Sequence, residues 1–217
     1  MPIAVTVSPT GTPVAYSSQS MTRAIRSQRL VRCERCGLPA RFCLCAELPR
    51  LRVRTRLVVV MHRREPWKSS NTARLALAMI ADAERVIVGA RDRPSDAAQL
   101  QPRRRLLLYP FEGAEELCPA HAGSADVLIV PDGTWSQARR LARRIAATAG
   151  VTVVRLPAGP PSRYRLRRNA RPGTVSTFEA IARGLALLEG PAVQEAMLPW
   201  LEEFVRRTLL LRGRREA

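Results

Sequence analysis

Lysine is almost missing from this chain: Lys68 is the only one in 217 residues, and histidine occurs only twice. Aromatic residues are scarce as well, at 5% against 46% apolar residues overall, so the interior has to be built from Leu, Val, Ile and Ala. No apolar run approaches the ~18 residues of a membrane-spanning helix, and no membrane association is expected. The opening stretch, MPIAVTVSPTGTPVAYSSQS, has neither the charged n-region nor the apolar h-region of a secretory signal. A cytoplasmic protein is therefore expected. Acidic residues are few, 18 against 36 basic ones, which gives a formal net charge of +18 and a pI near 11.5.

What is present follows from those gaps. Apart from Lys68 the fixed cations are all Arg, the residue suited to bidentate phosphate contacts and to stacking on bases. A GC-rich coding sequence raises Arg content by itself. Even so, a chain this basic attracts polyanions, and nucleic acid is the first partner to expect. The length allows one substantial core and little more.

Residues 1–29 are rich in Ser, Thr and Pro, without helical or strand period, and read as a loose leader. Residues 30–50 hold a cysteine cluster, and residues 51–217 alternate short β-branched runs with helical patterns. The runs LVVVM (57–61), RVIVG (85–89), RLLLYP (105–110), ADVLIVP (125–131) and VTVVRL (151–156) read as buried strands. Residues 69–82, 135–148, 176–188 and 195–211 read as helices. This alternation predicts an α/β fold, a mainly parallel sheet with helices on both faces.

Cys33, Cys36, Cys43 and Cys45 have the spacing C-x-x-C, six residues, C-x-C. Two close pairs of soft thiolates in a short knuckle suit one tetrahedral zinc ion, and disulfides are the poorer explanation in a cytosolic chain. Gly37, Leu38 and Pro39 supply the turn between the pairs. With four ligands such a site is closed, so the zinc is expected to be a structural clip. Cys118, the one cysteine elsewhere, is expected to pack as a small hydrophobe.

The sharpest local signal is 127-VLIVPDGTWSQARRLARRI-145. A buried strand ends near Pro131, turns through Asp132, Gly133 and Thr134, and continues as a helix from about Trp135. Open α/β sheets bind ligands at the carboxyl ends of their strands, so Asp132 stands where a catalytic or ligand-holding carboxylate belongs. Helix capping by Asp132 or Thr134 is the competing reading. Trp135, on a first helical turn, is expected to pack inward.

These residues resemble the DTW-domain proteins, tRNA-uridine aminocarboxypropyltransferases named for a D-x-T-W turn, here Asp132 to Trp135. Four more pieces match in order: the knuckle C-x-x-C-x-x-P-x-x-x-C-x-C-x-x-L-P from Cys33 to Pro49; His62, Glu65, Asn71 and Thr72; Tyr164-Arg165-Leu166-Arg167; and Ser176-Thr177-Phe178-Glu179-Ala180. The resemblance covers about residues 31–211. Pro131, just before the turn, is a mild departure.

The resemblance implies a SPOUT-like catalytic domain whose C-terminal part is threaded into a knot around an S-adenosylmethionine site. The implied reaction transfers the 3-amino-3-carboxypropyl group to N3 of a tRNA uridine and releases 5′-methylthioadenosine. A sulfonium donor needs no metal. The enzyme must supply geometry and a base for the weakly acidic N3–H. Asp132 is the candidate base, with a grip on the donor's ammonium group as its other role. Pro131, Asp132, Gly133, Thr134, Trp135, Leu156, Thr174, Ser176 and Thr177 are the candidate donor-binding residues. Ser176 also starts a capping box completed by Glu179. Glu65 and Asn71 are assigned to the uridine or the loop carrying it, and His62, at the same strand end, is a further candidate there, with a structural role as its other reading.

For RNA, Arg139, Arg140, Arg143 and Arg144 recur three and four apart as a basic stripe. Arg163, Arg165, Arg167, Arg168 and Arg171 crowd the segment before Ser176. Of these, Arg139, Arg143, Arg165, Arg167 and Arg168 are the candidate phosphate contacts. A SPOUT-type methyltransferase and a non-catalytic zinc-knuckle RNA binder are the alternatives. The oligomeric state is not legible.

Overall fold

Six short segments, four of them rich in Val or Ile, pair side by side in one direction. The computed structural model describes residues 31–89, 104–123, 126–166 and 173–213. The strands are β1 (Arg56–His62), β2 (Glu84–Val88), β3 (Arg105–Leu108), β4 (Glu115–Glu116), β5 (Val127–Asp132) and β6 (Val151–Arg155). They form a single sheet in the order β2-β1-β5-β3-β6-β4, every pair parallel. The helices are α1 (Ala73–Met79), α2 (Trp135–Ala146), α3 (Thr177–Glu189) and α4 (Pro191–Leu211). The predicted parallel α/β architecture is the one observed.

Side-chain alternation divides the interior into two cores. Leu57, Val59 and Met61 of β1 and Leu128 and Val130 of β5 face a larger core, shared with α1, α3 and α4 and with Cys36, Leu38 and Leu44 of the knuckle. Val58, Val60, Val127 and Ile129 face the other side. There, among the described helices, α2 covers them, through Ala138, Leu141, Ala142 and Ile145. The knuckle thus shares a core with the sheet, and from Arg32 onward the chain is one compact unit.

Four expectations are corrected. β2 and β6 are half-exposed rather than buried, and Ile87 on β2 is 42% exposed. β2 sits at an edge, where one flank has no neighbouring strand among the described residues. The helix expected over 69–82 is only Ala73–Met79. Before it, residues 65–72 turn on themselves, with the N–H of Lys68 bonded to the Glu65 carbonyl and that of Asn71 to the Lys68 carbonyl. After it, Leu51 takes up the backbone of Met79 and Ala81. The last helix starts at Pro191, where a missing N–H costs nothing, and runs through Pro199. Cys118 is half-buried in a 3-10 turn, its thiol 3.3 Å from Nδ1 of His121. The two-residue β4 carried no strand signal.

Chain order reverses around β5. From β1 the chain moves outward to β2, crosses over to β3, goes on to β4 at the opposite edge, and only then fills the gap between β1 and β3 with β5. The carboxyl ends of β1 and β5 lie side by side there, with Met61 paired to Asp132. Such a switch point is where an open parallel sheet opens a crevice.

Candidate active site

Asp132 ends β5 and is 4% exposed. Thr134, not Asp132, is the N-cap of α2: its hydroxyl accepts the Gln137 N–H at 3.4 Å, and its own N–H donates to Oε1 of Gln137 at 2.8 Å. Gly133 is required by the same arrangement, since a Cβ there would lie 2.9 Å from Cβ of Gln137. With the cap supplied by Thr134, the Asp132 carboxylate turns to other partners. The Thr177 hydroxyl donates to its Oδ1 at 2.7 Å, and Nδ2 of Asn71 donates to its Oδ2 at 2.5 Å. Burial is the largest influence on this carboxyl and pushes its pKa up. The Thr177 and Asn71 hydrogen bonds pull it back, Glu65 adds to the rise and Lys68 opposes it, and the net result lies above the ordinary carboxylate range. Each oxygen retains lone-pair capacity for a further proton or donor.

The loop carrying Asn71 is fastened on three sides. Oδ1 of Asn71 accepts the Arg74 N–H at 3.1 Å. The Tyr164 hydroxyl donates to the Ser70 carbonyl at 2.6 Å, and Oγ1 of Thr72 accepts the Phe178 N–H at 3.3 Å. Arg74, 7% exposed, donates at 2.8 Å to both the Pro66 and the Cys33 carbonyls. One buried guanidinium therefore joins this loop to the knuckle. Gly37 makes room for it: its φ is +80°, and a Cβ there would lie 2.9 Å from Nη1 of Arg74.

Two cavities open on either side of this turn. The larger, about 470 Å³, lies between the ends of β3, β5 and β6 and the start of α3. Leu108, Tyr109, Val130, Leu156, Val175 and Ala180 form much of its wall. The smaller, about 360 Å³, is lined by Glu65, Lys68, Asn71, Thr72, Asp132 and Tyr164 among others. Gly133, Trp135 and Thr177 belong to both walls.

Of the candidate donor-binding residues, Pro131, Gly133, Trp135, Leu156, Thr174, Ser176 and Thr177 line the larger cavity, while Asp132 and Thr134 line the smaller. Ser176 also forms its capping box: its Oγ accepts the Glu179 N–H at 3.3 Å, and its own N–H donates to Oε2 of Glu179 at 2.8 Å. Glu65 and Asn71 reach the smaller cavity; His62 lines neither. Its Nδ1 accepts the Arg64 N–H at 3.3 Å. Burial holds its pKa below the usual value, Glu65 opposes that, and Arg64, Arg63 and Arg140 reinforce it. Trp135 corrects the inward-packing expectation: it is half-buried at the junction of the cavities and belongs to neither core. Arg139, Arg143 and Arg165 are exposed, and Arg167, Arg168 and Arg171 lie outside the described residues. Sequence reasoning missed Arg155 and Arg183 in the wall of the larger cavity. Arg183 follows Ala180 by one helical turn, a spacing that could have found it.

The four knuckle thiols lie within 4.8 Å of one another, with Cys33–Cys45 at 3.6 Å and Cys36–Cys43 at 3.7 Å. Four sulfurs tetrahedrally placed about a zinc ion would be about 3.8 Å apart, so this donor set fits such an ion. Burial pushes the Cys33 thiol up, but the Cys36 and Arg35 N–H groups and the neighbouring thiols bring it down to about 6. Burial leads the rise of the Cys43 and Cys45 thiols, and neighbouring sulfurs add to it.

The DTW-domain family model matches residues 30–209. The chain belongs to the DTW-domain family. Asp132 to Trp135 is thus its DTW turn, the wall between the two cavities. Among curated proteins, the chain is similar to tRNA-uridine aminocarboxypropyltransferase 2 of Macaca fascicularis, at 30% identity over 79% of this chain and 61% of that one. It is also similar to the Drosophila melanogaster protein of the same name, at 29% identity over 77% of this chain and 70% of that one. The chain thus spans less than two thirds of the first relative's length. A solved structure of the SAM-dependent rRNA:acp-transferase Tsr3 from Vulcanisaeta distributa aligns with 73% of this chain and 84% of that chain, at 16% identity and a TM-score of 0.43.

Proposed function

We propose that this DTW-domain chain is a tRNA-uridine aminocarboxypropyltransferase that uses S-adenosylmethionine. The observation that carries the reading is the pair of cavities meeting at Gly133, Trp135 and Thr177, with the Asp132 carboxylate in the smaller one. The activity in the relatives' names supports it. In this reading the larger, mostly apolar cavity takes the donor's nucleoside and the smaller takes the uracil ring. Asp132 faces N3, and its raised pKa makes it a stronger base than an ordinary carboxylate. It accepts the N3 proton as the N3–carbon bond forms and the sulfur–carbon bond breaks, and 5′-methylthioadenosine departs. Thr177 and Asn71 hold the carboxylate in position.

The same reading includes a zinc ion held by Cys33, Cys36, Cys43 and Cys45 as a structural clip, a SPOUT-like threading of the C-terminal part, and a cytoplasmic setting. It also includes phosphate contact by the exposed face of α2, where Arg139, Arg140, Arg143 and Arg144 are all exposed. The test is mass spectrometry of nucleosides and small products after incubation with unmodified tRNA and S-adenosylmethionine. The expected result is a uridine carrying the aminocarboxypropyl mass, together with 5′-methylthioadenosine. A methyl gain with S-adenosylhomocysteine would replace the transferred group, and RNA binding without modification would replace the enzyme by a binding protein.

A further inference from the structure

The turn between β1 and α1 has two faces. Inward, Glu65, Lys68, Ser70, Asn71 and Thr72 line the smaller cavity. Outward, Trp67 stands 85% exposed. A tryptophan left in water beside a polar cavity is a poor use of the side chain with the most apolar surface to bury, unless something stacks on it. The turn that presents it is firmly held. Pro66 beneath it is buried and anchored through its carbonyl to Arg74 at 2.8 Å, and the Ser70 carbonyl accepts from Tyr164 at 2.6 Å. An indole on a fastened turn costs little ordering entropy when it meets a ligand.

The surroundings are cationic. Arg63 and Arg64 precede Trp67 in the same turn and are exposed. Neither side chain forms an ion pair among the described residues. The nearest acid in sequence, Glu65, is 6% exposed and already paired with Lys68 at 2.5 Å. An exposed aromatic flanked by unpaired arginines has the chemistry of a single-strand nucleic-acid platform, where a base stacks on the ring and cations take the phosphates.

We propose that Trp67 stacks on a nucleobase adjoining the target uridine in an unpaired stretch of RNA, with Arg63 and Arg64 on the flanking phosphates. The inference rests on the RNA reading above and deepens it by naming the single-stranded element that is gripped. A base stacked on Trp67 keeps the neighbouring uridine unstacked and next to the opening lined by Asn71 and Asp132. Duplex RNA offers no free base face and gains nothing from this contact.

The test uses the full chain with Trp67→Ala and Trp67→Phe, binding a tRNA substrate, a short single-stranded oligoribonucleotide and an RNA duplex. Trp67→Ala is expected to weaken binding of tRNA and single strand by roughly tenfold or more, the range of base–aromatic stacking. Trp67→Phe, which keeps a ring, should stay within about threefold of the parent, and duplex affinity should hardly move. S-adenosylmethionine affinity and melting temperature should be unchanged in both variants. Unaltered single-strand affinity in Trp67→Ala, or equal losses for Ala and Phe, would overturn the stacking proposal and leave the RNA reading standing. A change in oligomeric state with RNA affinity intact would reassign the indole to a contact between copies. A parent protein that binds none of these RNAs would overturn both readings together.

Discussion

On one side of Gly133 and Trp135 the wall is Leu108, Tyr109, Val130, Leu156 and Val175; on the other it is Glu65, Lys68, Asn71, Thr72 and Asp132. Strand ends and the first turn of α3 form the first wall, whose shape comes from core packing. A loop forms the second, held by hydrogen bonds from Arg74, Tyr164 and Phe178. An apolar cleft with a few polar groups at its rim suits a flat heteroaromatic ligand. A buried carboxylate held by two donors suits a ring that must lose a proton. Under the proposed function, recognition of the donor falls to one side of the DTW turn and handling of the proton to the other.

The largest effect should come from removing the proposed proton acceptor alone. Asp132→Asn keeps the shape and a hydrogen-bonding group for Thr177 and Asn71. Single-turnover transfer should fall about 10²- to 10⁴-fold, with S-adenosylmethionine affinity within a few-fold of the parent. Full turnover in that variant would end the base assignment.

A perturbation at the knuckle should act on both cavities at once. Cys36, Leu38 and Leu44 are part of the main core, and Arg74 joins the knuckle backbone to the Asn71 loop. One equivalent of zinc per chain is expected from elemental analysis. Its removal by a chelator should destabilise the fold by at least about 3 kcal/mol in denaturant melts, and both ligands should be lost together. A metal-free chain of undiminished stability would contradict this.

The smallest effect is a pH dependence of stability. The folded pKa of Asp132 lies above its ordinary value of 3.8, so the folded chain keeps this proton to higher pH than the unfolded chain does. The contribution is fully present below the unfolded value and is lost as pH rises through the folded one. Asp132→Asn cannot ionise and escapes that loss. Its melting temperature relative to the parent should therefore rise between pH 4 and pH 7, and a flat difference would argue against a raised pKa.

Much of the fold was legible because it is written in local patterns. Runs such as LVVVM and DVLIVP are too apolar and β-branched to lie elsewhere than inside a sheet. The four cysteines fall within thirteen residues, and Ser176 with Glu179 forms the capping box its spacing announces. The site was legible only in part, since its decisive contacts are tertiary. Asn71 meets Asp132 across 61 positions and Phe178 meets Thr72 across 106. No periodicity reports such pairs. Trp135 was misread because an aromatic on a first helical turn normally packs inward, whereas here the crevice beside β5 leaves its ring between two openings. The helix expected from residue 69 fails for a similar reason, since Asn71 and Thr72 spend their side chains on other parts of the site.

The division of labour between the cavities is tested most directly by calorimetric titration of S-adenosylmethionine into Ala180→Leu and Asp132→Asn. Ala180 lines only the larger cavity, and three added carbons should crowd a nucleoside there. The account predicts donor affinity weakened at least about tenfold in Ala180→Leu, the scale of misfit from added methylenes, and nearly unchanged in Asp132→Asn. Donor affinity lost in Asp132→Asn and kept in Ala180→Leu would contradict it.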